Sequence, residues 1–187
     1  MEKPTILAIV GSLRTGSYNR QLAIEAGRII ADQAEFQLLD FHDVPLFNED
    51  LEHPAPGAVQ RVYEAVYAAD GIWFFTPEYN HFFSGVLKNL IDWLSRPIKE
   101  KGFYVLSGKP AAISGISTGS SGTMIAQDHL VTLISYINMN VMNKPRLVIA
   151  NALEQTDSQG RLALTSSAPF LERQAKAYVQ FVIENKA

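Results

Sequence analysis

Three stretches of the chain are apolar at nearly consecutive positions rather than at alternate ones, Thr5 to Val10, Gly71 to Thr76 and Pro110 to Ser117, and Pro145 to Ala150 supplies another strand. Strands buried on both faces of a parallel sheet read this way, whereas a half-exposed strand alternates apolar and polar residues. A further strand is predicted at Glu35 to Asp40. Between these runs the apolar residues recur at helical spacing. Leu22, Ala26, Ile29 and Ile30 share one face up to Ala31, a helix is expected from about Gly57 to Ala68, and Leu87, Leu90, Ile91 and Leu94 define another that Pro97 ends. Ala126, Leu130, Leu133, Ile134 and Ile137 follow the same period, and a closing helix is expected from Pro169 to about Glu184. Phe41 to Pro56, with three prolines and scattered acids, reads as a long loop, and Lys101 to Gly108 as a linker.

Five strands alternating with helices imply a doubly wound α/β fold, because parallel strands are joined by right-handed helical crossovers. Such folds bind ligands beyond the carboxyl ends of the strands. The loops after the first, third and fourth strands all belong to that edge. At 187 residues a single domain spanning the whole chain is expected.

The first of these loops, Gly11-Ser12-Leu13-Arg14-Thr15-Gly16-Ser17-Tyr18-Asn19-Arg20, leads into a helix, so backbone amides and the helix N-terminus converge on one spot. Ser12, Thr15, Ser17 and Asn19 add neutral donors, and Arg14 adds a planar fork suited to phosphate oxygens. The loop lacks the Lys-Ser/Thr pair of a P-loop and the three spaced glycines of a dinucleotide fingerprint. A phosphate monoester, as on a mononucleotide, fits it. The same residues would also serve simply as helix caps and surface charge. The second loop, from Thr76 to Gly85, offers Tyr79 and Phe82 to cover a planar ring and the amides of Glu78 to Asn80 to meet its electron-rich edge. Glu78 and Asn80 would equally close a turn. His81 has no second histidine or carboxylate at metal-ligand spacing, so a structural or pocket-lining role is expected for it. The third loop, Ser117 to Gly122, is a Ser/Gly turn that lets a flat ligand approach closely.

Composition narrows the chemistry. No cysteine is present, which removes thiolate nucleophiles, disulfides and Cys-bound metal centres, so redox work needs a cofactor. Sixteen basic and nineteen acidic residues leave a formal charge of -3, no field for nucleic acid or an anionic membrane. The N-terminal apolar run is too short for a signal or spanning helix, and a cytoplasmic protein is expected.

Together GSLRTGSYN at 11–19, PEYNHFFSGVLKNLIDWLSRP at 77–97, GKPAAISGISTGSSG at 108–122 and MNKPR at 142–146 resemble the NADPH-dependent FMN reductase family, which includes quinone, azo-dye and chromate reductases. The resemblance spans nearly all of residues 5–150. It implies a flavodoxin-like three-layer sandwich with a five-stranded parallel sheet of order 2-1-3-4-5. It also implies FMN as cofactor, with the phosphate at Ser12, Arg14, Ser17 and Asn19, the ring at Pro77, Glu78, Tyr79 and Asn80, and a third contact at Ser114 and Ser117. NADPH or NADH would be the co-substrate and a small molecule the electron acceptor. The helix bearing Leu87 and Trp93 resembles the one such proteins use to form homodimers, often paired into homotetramers. Two departures bear on acceptor choice: Ser84 stands where the family typically has proline, and Phe82-Phe83 make the loop bulkier. A one-electron carrier and a non-catalytic flavin-binding sensor remain as alternative readings; the modest net charge argues against the carrier, which would present a strong acidic docking face.

Overall fold

The computed structural model describes residues 2–97 and 104–186. Strands β1 (Thr5–Val10), β2 (Glu35–Leu38), β3 (Gly71–Phe75) and β4 (Pro110–Ile116) pair in parallel in the order β2-β1-β3-β4, and two short strands, β5 (Asn140–Val141) and β6 (Leu147–Ile149), both pair with β4. This is the 2-1-3-4-5 arrangement, with its last position filled by two pieces. The single strand expected at 145–150 is shorter and has a companion upstream, because Asn140 and Val141 face Pro110 and Ala111 while Leu147 to Ile149 face Ser114 to Ile116. The Met142 amide still donates to the Ala111 carbonyl at 2.8 Å, after which residues 143–146 leave the ladder, and Pro145 has no amide hydrogen to offer it.

The uninterrupted apolar runs have a simple cause. Side chains of a strand point alternately to opposite faces, and here both faces are core. Leu7, Ile9, Ile72, Phe74, Ala111 and Ile113 pack on one side with helices α2 (Gly57–Ala68), α3 (Gly85–Leu94) and α4 (Met124–Tyr136). Ile6, Ala8, Val10, Trp73, Phe75 and Ala112 pack on the other with α1 (Tyr18–Ile29) and α5 (Ala168–Asn185).

Several polar side chains inside these layers bond to one another and to strand carbonyls. Trp73 Nε1 donates to Ser114 Oγ at 2.8 Å, that hydroxyl donates to Gln174 Oε1 at 2.6 Å, and Gln174 Nε2 reaches the carbonyls of Ile113 and Pro145 at 2.9 and 3.0 Å. Tyr178 OH donates to the carbonyls of Ile72 and Pro110, and burial pushes its phenol well above the ordinary range.

The loop at 41–56 is not free chain. Asn89 Nδ2 and Trp93 Nε1 both donate to the Pro45 carbonyl at 2.9 Å, the Phe47 amide donates to Asn89 Oδ1 at 2.7 Å, and Arg96 Nε lies 2.8 Å from Glu52. Trp93 meets Phe47 edge to face at 4.9 Å. Asn89, Trp93 and Arg96 of the 88–96 motif thus clamp this loop to α3 and its C-terminal end, while Lys88 pairs with Asp92 on the same helix. Ser84 caps α3, its Oγ accepting from the Leu87 amide at 3.4 Å, so the serine in place of proline has a structural role of its own. Of the expected linker at 101–108, residues 101–103 lie outside the described residues, and Val105 and Leu106 are core.

Candidate functional site

Three loops leave the carboxyl edge of the sheet side by side, and four close contacts draw them together. Gly11 sits where a Cβ would come within 3.0 Å of Ser84 Oγ and 3.2 Å of Pro77, bringing the first loop against the second. At Gly115 a Cβ would collide with the Thr76 carbonyl and Thr123 Oγ1, bringing the second against the third. Asn19 donates from Nδ2 to the Ile116 carbonyl at 2.9 Å and accepts from the Ile116 amide at 3.1 Å, joining α1 to the end of β4. Glu78 Oε2 accepts from the Ala126 amide at 2.9 Å, joining the second loop to α4.

The first loop carries free donors. The Gly11 amide donates to Phe75 and that of Ser17 to the Arg14 carbonyl, but among the described residues the amides of Ser12 to Gly16 donate to no protein group. Ser17 is buried and caps α1, its Oγ accepting from the Arg20 amide at 3.3 Å. Arg14 is exposed, with its guanidinium 5.2 Å from the centre of the Tyr18 ring. Unpaired amides at a helix N-terminus, flanked by Ser12 and Arg14, are a donor set chemically suited to a dianionic phosphate.

In the second loop Tyr79 and Phe82 exchange both backbone hydrogen bonds, at 2.9 and 3.0 Å, across a tight turn whose central residues Asn80 and His81 have φ of 55° and 60°. That is the mirror-image turn of a two-residue hairpin, and Asn80 suits it. The Tyr79 amide is therefore committed within the loop, whereas those of Glu78 and Asn80 remain free among the described residues. The Tyr79 ring is 54% exposed, Phe82 stacks on His129 at 4.4 Å, and Pro77 is buried below with its carbonyl held by Thr76 Oγ1 at 2.8 Å. In the third loop Ser117 Oγ donates to the Gly122 carbonyl at 2.6 Å and accepts from the Gly119 amide at 3.3 Å, leaving the amides of Thr118, Ser120 and Ser121 free among the described residues.

Eight of the ten residues singled out in the sequence line this edge: Ser12, Arg14, Ser17, Pro77, Glu78, Tyr79, Asn80 and Ser117. Asn19 and Ser114 sit behind it with their side chains already bonded, Asn19 to Ile116 and Ser114 to Trp73 and Gln174. Sequence reading missed Thr76, Gly115, Thr123 and Gln174. Gln174 had a signal, since it shares the apolar face of α5 with Leu171, Ala175 and Tyr178. A separate groove of about 580 Å³ runs between α1 and residues 157–171, but its ion pairs, Arg28–Glu25 at 3.1 Å and Arg161–Asp157 at 2.8 Å, are internally matched and none of the three loops lines it.

The unpaired donors of the first loop, the exposed Tyr79 and the free amides of the second and third loops suit a flavin mononucleotide in their chemistry. The comparisons with known proteins agree with that fit. The model of the family described as NADPH-dependent FMN reductase matches residues 4–154. An NAD(P)H-dependent FMN reductase of Pseudomonas aeruginosa is 42% identical over 173 residues, covering 92% of this chain and 91% of its own. A 2-hydroxy-1,4-benzoquinone reductase of a Burkholderia species is 34% identical, with 97% of each chain covered. Among solved structures, the flavoenzyme NAD(P)H:acceptor oxidoreductase FerB of Paracoccus denitrificans superposes with a TM-score of 0.88 at 32% identity, over 98% of this chain and 100% of its own. With its fold, its loop motifs and these relatives in agreement, the chain belongs to the NADPH-dependent FMN reductase family.

Proposed function

We propose that this protein is an FMN-dependent reductase that oxidises NAD(P)H and delivers two electrons to small acceptors of the quinone class. The observation that carries the reading is the convergence of the three loops, with unpaired amides and Arg14 at one end and an exposed aromatic side chain at the other. The amides of 12–16 with Ser12, Arg14, Ser17 and the α1 N-terminus hold the phosphate. Pro77 to Asn80 orient the ring, the free amides of Glu78 and Asn80 meeting its polar edge, and Ser117 orders the third loop beside it. Asn19 and Ser114 act by position, fixing β4 and the loops it carries. FMN held by these residues would supply the hydride chemistry that links nicotinamide to acceptor.

Tyr79 and Phe82 leave one face of the site open to solvent, so nicotinamide and acceptor use it in turn and the kinetics are ping-pong. Among the described residues no helix is long and apolar enough to cross a membrane; we assign the protein to the cytoplasm. We also propose that it works as a homodimer or a pair of homodimers. Leu87 and Trp93 are buried within the protomer, so their side chains are not the contact surface. Helix α4 supports the proposal instead: besides burying Ala126, Leu130 and Ile134 it exposes two large apolar side chains, Met124 and Tyr136, the latter 89% exposed.

The test is anaerobic addition of NADPH, then NADH, to the FMN-loaded protein. Bleaching of the flavin band near roughly 450 nm, reversed by a benzoquinone, is the expected result. Protein that retains no FMN refutes the assignment of the site, and bound FMN that neither nucleotide bleaches refutes the reductase.

A further inference from the structure

Helix α4 begins at the rim of the site without a cap of its own. Thr123 precedes it, but its side chain makes no capping bond, and its Oγ1 accepts instead from Gln127 Nε2 at 3.1 Å. The free amides of the first turn and the summed peptide dipoles leave about half a positive charge there. Glu78 reaches across from the second loop and supplies the missing cap: Oε2 accepts from the third helical residue, Ala126, at 2.9 Å. The carboxylate side chain is only 7% exposed, and its other oxygen lies 3.4 Å from Nδ1 of the exposed His81. The residue whose amide the sequence reading sets against the ring thus turns its carboxylate to a helix end 48 residues away.

We infer that Glu78 is a positioning residue with two separable effects: its hydrogen bond to Ala126 holds the ring-bearing loop against α4, and its charge masks the positive end of α4 from the cofactor. The inference rests on the FMN site proposed above. The two effects follow from different properties of the same group. The strut needs an acceptor oxygen, which glutamine also has. The masking needs a full negative charge, which glutamine lacks. Because hydride uptake brings two electrons with one proton, it adds one negative charge to the bound cofactor. A carboxylate beside the site opposes that charge, and an unmasked helix N-terminus favours it.

Two substitutions separate the effects. Glu78→Gln keeps an acceptor oxygen for the Ala126 amide, and with it the strut, but removes the charge. Its preference for reduced over oxidised FMN rises roughly tenfold, the order expected for one charge acting through a partly buried site. For a two-electron couple, a tenfold change raises the midpoint potential by about 30 mV. Glu78→Ala removes both, so the affinity for oxidised FMN falls about tenfold or more while the preference for the reduced form rises as in Glu78→Gln.

The strut is read without cofactor from hydrogen exchange at the Ala126 amide of the apoprotein. Exchange is expected to accelerate at least about tenfold in Glu78→Ala but not in Glu78→Gln. An unchanged potential in Glu78→Gln overturns the masking effect, and equal Ala126 exchange in all three proteins overturns the strut. Failure of the parent protein to retain FMN refutes the assignment of the site and the masking with it, while the exchange measurement still decides the strut on its own.

Discussion

Replacing Asn19 by alanine tests whether the site is held together from behind. Its side chain is buried and makes two hydrogen bonds to the backbone of Ile116, at 2.9 and 3.1 Å. Removing it strands one N–H and one C=O at the end of β4. Each unsatisfied buried group costs about 1–3 kcal/mol. Ile116 lies one residue below the exposed third loop, so water relieves part of the deficit and the net loss is about 3 kcal/mol. With an m-value of about 2.5 kcal/mol per molar urea, the unfolding midpoint of the apoprotein falls by roughly 1 M. Asn19→Asp keeps the shape but turns a carboxylate oxygen toward the Ile116 carbonyl in place of the amide donor, and is expected to destabilise at least as much. Equilibrium urea unfolding followed by tryptophan fluorescence reads both, with Trp73 in the neighbouring core as reporter. A midpoint shift under about 0.2 M for either variant refutes the clamp.

Three further outcomes are expected. Arg14→Ala removes one charge-assisted donor from the proposed phosphate site, worth about 1.5–3 kcal/mol when buried and about 1–2 kcal/mol at this exposed position, so FMN binds about five- to thirtyfold more weakly by fluorescence titration. An unchanged affinity would mean the guanidinium stays on Tyr18. Gly115→Ala forces a Cβ into the Thr76 carbonyl, a backbone atom that cannot swing aside, and costs about 2–3 kcal/mol, or roughly 4–12 °C in Tm by calorimetry. His42 Nδ1 lies 2.7 Å from Asp40, and that hydrogen bond raises the imidazole pKa above its ordinary 6.5. The sign follows: any stability it gives is fully present below about pH 6.5 and is lost as pH rises through the raised folded value. NMR titration of His42 should show the raised midpoint, with Asp40→Asn returning it toward 6.5.

The repeating layers were legible because the two-sided burial of a parallel sheet writes itself locally. Thr5 to Val10 and Gly71 to Phe75 are apolar at successive positions, and no other common environment for so short a segment asks for that. The loops that carry the candidate site were legible for the same reason, since they begin where those runs stop. Side-chain assignments within them were not equally accessible. Asn19 sits in a phosphate-like loop, Ser114 in a core strand and Glu78 in a ring-contacting motif, and each has its hydrogen-bonding partner far along the chain: 97, 60 and 48 residues away. A buried polar group must be satisfied by whatever the fold places beside it, and sequence spacing does not carry that proximity. The split of the last sheet position into Asn140–Val141 and Leu147–Ile149 has the same origin. Local pattern determined the strands, helices and exposed loops of this protein, through burial. Tertiary packing alone decided which polar atoms face a ligand and which hold the scaffold, because a hydrogen bond depends on positions in space.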